Sequence, residues 1–172
     1  MRLLAVTVIG PDRPGIITAV TGALAGLGGN LEDSTMTLLR GHFAMMLLAA
    51  CAADPAEVES ALAPVADRFG LVASVREVPE EPEAAAEGQH VVLRVHGADR
   101  PGIVSAMTRV LADEGGNITD LTTRLTGRLY VLVAEADLPA GVDLSEVQRR
   151  LSARAEELGV DAALHPADED VL

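Results

Sequence analysis

Two short segments of the sequence combine an acid, a proline and a glycine in a spacing that suits the binding of small charged groups. The first is Asp12-Arg13-Pro14-Gly15-Ile16, and the second, Asp99 to Ile103, repeats it letter for letter. Proline fits the first turn of a helix, and the N–H groups at such a helix start favour an anion by about 0.3 to 1 kcal/mol. The aspartate accepts hydrogen bonds from a cation, and glycine lets a ligand approach the backbone closely. Each segment therefore offers donors beside acceptors.

No other residues form a recognisable catalytic or metal-binding set in the sequence. All 13 basic residues are Arg, which excludes a phosphate-loop lysine and a Schiff-base lysine. The single Cys51 has no histidine partner suggested by the sequence, and no serine lies in a GxSxG motif. The four histidines lack metal-ligand spacing: they are His42, His90, His96 and His165. We expect no enzyme activity, no metal and no cofactor.

The composition is that of a globular protein with a strong acidic excess. The chain has 172 residues, 49% of them hydrophobic, and 26 Asp and Glu give it a formal charge of −13. This charge repels phosphates, and Phe43, Phe69 and Tyr130 are too scattered to stack on bases, so direct nucleic-acid binding is disfavoured. The sequence shows neither a membrane span nor a signal peptide, and we expect a cytoplasmic protein.

The sequence contains an internal repeat that predicts two domains. Residues 10–38 align on residues 97–125 with 16 identities in 29 positions. Residues 79–89, PEEPEAAAEGQ, are rich in Pro, Glu and Ala, as linkers are. The predicted organisation is a first domain at 1–78, a linker at 79–89, a second domain at 90–166 and an acidic tail at 167–172.

Hydrophobic periodicity and turn signals predict the order βαββαβ in each copy. The first copy is predicted to contain a strand at Leu3–Ile9, a helix from Pro14 to Gly28, strands at Asn30–Leu39 and His42–Ala52, a helix from Asp54 to Gly70 and a strand at Leu71–Val78. This order predicts an α+β fold whose antiparallel sheets carry helices on one face. The strands at Leu3–Ile9 and Phe43–Ala50 are apolar at odd and even positions, so the second face is expected to pack on the other half of the chain or on a second chain.

The motifs GPDRPGI and GADRPGI, together with the repeat, make each copy resemble the ACT domain, a ferredoxin-like regulatory module. The resemblance covers nearly the whole chain. Two such domains without a catalytic domain are similar to the family of glycine cleavage system transcriptional repressors. Formyltetrahydrofolate deformylases also begin with a DRPGI domain, but this chain is too short to contain their catalytic domain. The resemblance implies a regulator that binds a small amino acid, glycine or serine, between paired ACT domains and acts on a protein partner. The charge of −13 makes transcriptional repression more plausible through an activator protein than through DNA, and the apolar second sheet faces predict a dimer.

The resemblance also implies which positions bind the amino acid, whose ammonium would be held by Asp12 and Asn30. Carried over by position, the ligand-binding residues are Asp12, Pro14, Gly15, Ile16 and Asn30 in the first copy and Asp99, Pro101, Gly102, Ile103 and Asn117 in the second. One departure concerns Gly10 and Gly97, because some ACT-regulated enzymes carry a polar ligand-contacting side chain at that position. Without a side chain there, the contacts must come from the backbone or from other residues.

A purely structural interpretation of the same residues remains open at this point. Asp12 is then an N-cap, Pro14 a first-turn proline and Asn30 a left-handed residue after a glycine-capped helix. Arg13 and Arg100 are expected to be solvated.

The alternative function is an interaction module that associates with an enzyme without binding a ligand. A third hypothesis is an enzyme that uses carboxylates of the DRPGI turns.

Overall fold

The computed structural model describes residues 1–79 and 88–167, and the chain divides into two compact units, each with its own sheet. Most of the predicted linker and the acidic residues Asp168-Glu169-Asp170 of the predicted tail lie outside the described residues. Within the described part of the chain, no helix combines the length and apolar character that a bilayer crossing requires.

The first unit has the predicted order βαββαβ. Its elements are β1 (Arg2–Pro11), α1 (Ile16–Gly26), β2 (Asn30–Leu39), β3 (His42–Cys51), α2 (Pro55–Phe69) and β4 (Val72–Val78). The four strands form one sheet in the order β2-β3-β1-β4, and all neighbours are antiparallel. The prediction of an α+β, ferredoxin-like arrangement is confirmed.

The second unit repeats this order and topology. Its elements are β5 (Gly88–Ala98), α3 (Ile103–Asp113), β6 (Asn117–Thr126), β7 (Leu129–Pro139), α4 (Leu144–Leu158) and β8 (Val160–Pro166). The sheet order is β6-β7-β5-β8, again antiparallel throughout. Strand β5 begins at Gly88, so it includes the last two residues of the segment that the sequence assigned to the linker.

The core of each unit lies between one face of the sheet and the two helices. In β1, Leu4, Val6 and Val8 alternate with more exposed residues and are at most 1% exposed, as period-two side-chain alternation requires. Helix α1 contributes Ile16, Val20 and Leu24 to the core, a spacing of four that places them on one helix face. On the opposite sheet face, which we call the open face, neither unit has a helix among its described residues.

Helices α2 and α4 each have an aspartate as their N-cap residue, one of the residue types preferred at that position. The carboxylate of Asp54 accepts a hydrogen bond from the N–H of Glu57 at 2.9 Å, and the Glu57 carboxylate accepts one from the N–H of Asp54 at 2.8 Å. In the second unit, the Asp143 carboxylate accepts from the N–H of Ser145 at 2.9 Å. These side chains satisfy N–H groups that a helix start otherwise leaves without partners.

Candidate ligand-binding site

The turn between β1 and α1 owes its shape to a left-handed glycine. Gly15 has φ 92° and is the N-cap of α1, and Gly102 has φ 93° and is the N-cap of α3. A side chain in this conformation costs about 1 to 2 kcal/mol, so the turn has a backbone reason for glycine that is independent of any ligand. The N–H of Asp12 donates to the carbonyl oxygen of Gly41 at 2.9 Å, which ties the turn to the β2–β3 hairpin.

The interpretation of Asp12 as an N-cap is wrong. Gly15 occupies the cap position, three residues after Asp12, and neither α1 nor α3 receives a cap hydrogen bond from a described side chain. The two other helices are both capped by aspartates. The contrast means that the first-turn N–H groups of α1 and α3 have no side-chain acceptor among the described residues, whereas those of α2 and α4 have one.

The carbonyl end of the second helix lies beside the same turn. A Cβ built on Gly15 would be 3.8 Å from Cζ of Phe69, the last residue of α2, and one built on Gly70 would be 3.9 Å from Cγ of Pro11. Helices α1 and α2 run in opposite directions on the sheet, so the positive end of one dipole and the negative end of the other meet here. Phe69 and Gly70 were not predicted from the sequence to be part of the site. The sequence feature that could have indicated them is the glycine at the end of the second helix, which recurs in both copies as Gly70 and Gly159.

Packing explains why the sequence has glycine at positions 10 and 97. A Cβ at Gly10 would lie 2.7 Å from Cδ2 of Leu71 and 2.8 Å from the carbonyl oxygen of Gly70. At Gly97 it would lie 2.8 Å from Cγ1 of Val160. These distances are shorter than van der Waals contact, so the residues just before β4 and at the start of β8 occupy the space that a polar side chain would need.

The two turns differ in their arginines. Both Arg13 and Arg100 are exposed. In the second unit, however, a Cβ built on Gly159 would be 3.5 Å from Nη2 and 3.6 Å from Cζ of Arg100, so this guanidinium lies over the glycine that ends α4. A cation near the carbonyl end of a helix is favoured by the dipole. At the equivalent Gly70 of the first unit, the neighbouring side chain is that of Pro11.

The two asparagines lie far from the turns of their own units. Asn30 is the first residue of β2 and pairs with Ala50, which pairs with Leu3. The turn follows Pro11, eight residues further along β1, a distance of about 26 Å at about 3.3 Å per residue. Asp12 and Asn30 of one unit therefore do not touch the same small molecule, and the same holds for Asp99 and Asn117. Asn30 is also not left-handed, since Arg40 is the non-glycine residue with positive φ in the described chain.

Titratable groups elsewhere form surface pairs rather than a reactive centre. His90 Nδ1 lies 2.7 Å from Oδ1 of Asp137 on the open face of the second unit. On α4, a hydrogen bond from Arg149 lowers the pKa of Glu146, and the same bond raises the pKa of Arg149. In residues 1–79 and 88–167, no group of three or more His, Cys, Asp or Glu side chains has the arrangement needed to hold a metal ion.

The chain contains two βαββαβ units, and in each the helix after the first strand begins at a glycine. The sequence model of the ACT domain matches both units, at residues 2–76 and 89–165. The chain belongs to the ACT domain family, and it consists of two ACT domains in tandem.

Relatives cover either the whole chain or one of its units. The glycine cleavage system transcriptional repressor of Escherichia coli is 25% identical over 170 residues, which are 94% of this chain and 88% of the relative. A UPF0237 protein of Methanopyrus kandleri is 38% identical over 78 residues, 45% of this chain and 87% of the relative. The crystal structure of an unknown protein from Galdieria sulphuraria is 33% identical, covers 97% of this chain and 99% of its own, and superposes with a TM-score of 0.82. The two-domain organisation therefore recurs in other organisms.

Proposed function

We propose that this protein is a non-enzymatic regulator that binds a small amino acid at the DRPGI turns and transmits the signal to a protein partner. The observation that supports the proposal is the difference between helix starts. Helices α2 and α4 are capped by their own aspartates, whereas α1 and α3, which follow the turns, receive no cap from any side chain in the described part of the chain. A ligand carboxylate would supply the missing acceptor.

The ligand is placed by its two charged groups. Its carboxylate accepts hydrogen bonds from the N–H groups at Gly15 and Ile16, and its ammonium contacts the carboxylate of Asp12 and the carbonyl end of α2. Pro14 pre-sets the backbone ahead of the glycine. The equivalent residues of the second unit are Asp99, Pro101, Gly102 and Ile103.

Glycine and serine are the ligands that we propose first, because the relative that aligns with nearly the whole chain is named for the glycine cleavage system. Asn30 and Asn117 lie at the other end of their sheets, so in this proposal they do not contact a ligand bound at the turn of their own unit.

Control of transcription is proposed to be indirect. The full-length relative from Escherichia coli is named a glycine cleavage system transcriptional repressor. A charge of −13 and the absence of lysine oppose the phosphate contacts on which DNA affinity depends. Repression through binding of an activator protein agrees with both facts, and the activator is the partner that we propose.

A thermal-shift screen of the proteinogenic amino acids, each at millimolar concentration, tests the proposal. Glycine has five heavy atoms, and a ceiling of about 1.5 kcal/mol per atom limits its dissociation constant to a few micromolar at best. We expect glycine or serine to raise the melting temperature of the full chain and large aromatic amino acids to leave it unchanged. If no amino acid stabilises the folded protein, the alternative of a ligand-free interaction module replaces this proposal.

A further inference from the structure

The open faces of the two sheets have opposite character, although the units share their topology. At equivalent positions, five apolar residues of the first unit are replaced by titratable ones in the second. These replacements are Leu3 by His90, Ile9 by His96, Leu48 by Glu135, Ala50 by Asp137 and Val72 by Asp161. The first face is therefore apolar and the second is charged.

Exposure of the apolar face is considerable. Ile9 is 57% exposed, Met46 46% and Val72 74%. Adjacent exposed apolar side chains on one sheet face are typical of an association surface rather than of a solvated one. On the second unit, burial of Glu135, Asp137 and Asp161 would require their desolvation, which opposes association through that face.

At the paired positions of the apolar face in the described chain, the charged residues are Asp33 and Arg76, and they lie in one row; Glu32, in the β-bulge before Asp33, has no paired position. Asp33 pairs with Leu48, Leu48 with Ala5, and Ala5 with Arg76. The row crosses the whole sheet, so Asp33 on edge strand β2 and Arg76 on edge strand β4 are three strand spacings, about 14 Å, apart. Two apolar residues, Leu48 and Ala5, lie between them.

We propose that the open face of the first unit packs against the same face of a second copy. The two copies are related by a two-fold axis that lies between the two sheets, runs parallel to the strands and crosses the middle of this row. Such an axis places β2 of one copy over β4 of the other. Asp33 of each copy then meets Arg76 of the second copy, and the apolar residues between them become the centre of the interface. This interface does not depend on a bound amino acid.

The dimensions of packed sheets allow these pairs to form. Sheets stack about 10 Å apart, a gap that the long arginine side chain and the aspartate together bridge. Aligned sheets are rotated by about 30°, which displaces a residue about 7 Å from the axis by about 4 Å, within the reach of arginine. A second copy meets the requirement of this pairing, because its own row places an arginine opposite each aspartate and an aspartate opposite each arginine.

The first test compares equivalent substitutions on the two faces by sedimentation equilibrium of the full chain without amino acids. Met46→Glu places a charge on the apolar face, and Val133→Glu, at the equivalent position of the second unit, is the matched control. We expect the native protein and Val133→Glu to be dimers and Met46→Glu to dissociate at least a hundredfold more readily. A monomeric native protein, a dimer that survives Met46→Glu, or equal dissociation of both variants would overturn the proposal.

The second test uses charge reversal to examine the two-fold arrangement. Asp33→Arg or Arg76→Asp alone places like charges together twice in each dimer, and we expect each to weaken dimerisation by about tenfold. The double variant restores both pairs in the opposite sense and should return to within about threefold of the native dissociation constant. A double variant as weak as the single ones contradicts the proposed pairing. Circular dichroism verifies the fold of each variant, so that an unfolded protein is not counted as a monomer.

Discussion

Four aspartates that precede helices differ in whether they cap them. Asp54 and Asp143 bond to the N–H groups of α2 and α4 and act as caps. Asp12 and Asp99 precede the left-handed glycines that begin α1 and α3, and their carboxylates make no cap bond. The first pair therefore belongs to helix stability, and the second pair is available for a ligand.

This division leads to opposite expectations for two double variants. Asp12→Ala with Asp99→Ala should abolish amino-acid binding and leave the free energy of unfolding nearly unchanged, because no cap is lost. Asp54→Ala with Asp143→Ala should lower that free energy by about 1 kcal/mol per site and preserve binding. Calorimetry at millimolar ligand and chemical denaturation of the same samples measure the two effects. Unchanged binding in the folded Asp12→Ala, Asp99→Ala protein would remove both aspartates from the proposed site.

At the scale of elements, the hairpins of the two units use different turns. The β2–β3 turn contains Arg40 with φ 50° and Gly41 with φ 83°, two positive values that define a type I′ turn. In the β6–β7 turn, Gly127 has φ 63° and Arg128 has no positive φ, which fits a type II′ turn. Arginine at a left-handed position is strained, whereas asparagine tolerates it.

The strain predicts a stabilising substitution. Arg40→Asn should raise the free energy of unfolding by about 0.5 to 1 kcal/mol, because Asn-Gly is the preferred type I′ sequence. Arg128→Asn is the matched control and should give no gain, since Arg128 is not left-handed. Urea denaturation monitored by circular dichroism measures both. Equal effects of the two substitutions would mean that removal of a positive charge, not relief of backbone strain, determines the change.

At the scale of the whole molecule, charge decides which partners are accessible. The acidic residues exceed the arginines twofold, 26 against 13. The described helices α1 to α4 contain few basic side chains, and α1 contains none. Long-range repulsion therefore opposes approach to a nucleic acid and leaves binding to a protein unaffected or favoured where the partner is basic.

We expect the purified protein to show no sequence-specific binding to duplex DNA at about 0.15 M salt. Fluorescence anisotropy with labelled duplexes from the upstream regions of candidate genes, with and without glycine, is the measurement. A known DNA-binding protein of similar size serves as the positive control. A specific, salt-resistant complex formed by this protein alone would contradict indirect repression.

The sequence by itself determined the elements and their repetition, because these depend on local signals. Strand β2 occupies the predicted residues 30–39, and α2 begins after Asp54 and ends before Gly70, since capping, glycine stops and hydrophobic periodicity act within a few residues. Those signals also predicted a helix start at the first DRPGI turn, but they placed Pro14 in its first turn, whereas α1 begins at Ile16 and Pro14 precedes the N-cap Gly15. The apolar second face of the first sheet was likewise readable from strands that are apolar at odd and even positions.

Tertiary structure alone decided which residues come together. Asp12 and Asn30 are 18 positions apart in the sequence, yet they lie at opposite ends of the sheet because β2 begins beside the start of β1. The end of α2, some 55 residues away, lies against the turn instead, and Leu71 rather than the ligand accounts for Gly10. The row from Asp33 to Arg76 exists only through the pairing of four strands. Local propensity contains no information on strand register, which depends on burial and hydrogen bonding across the whole sheet.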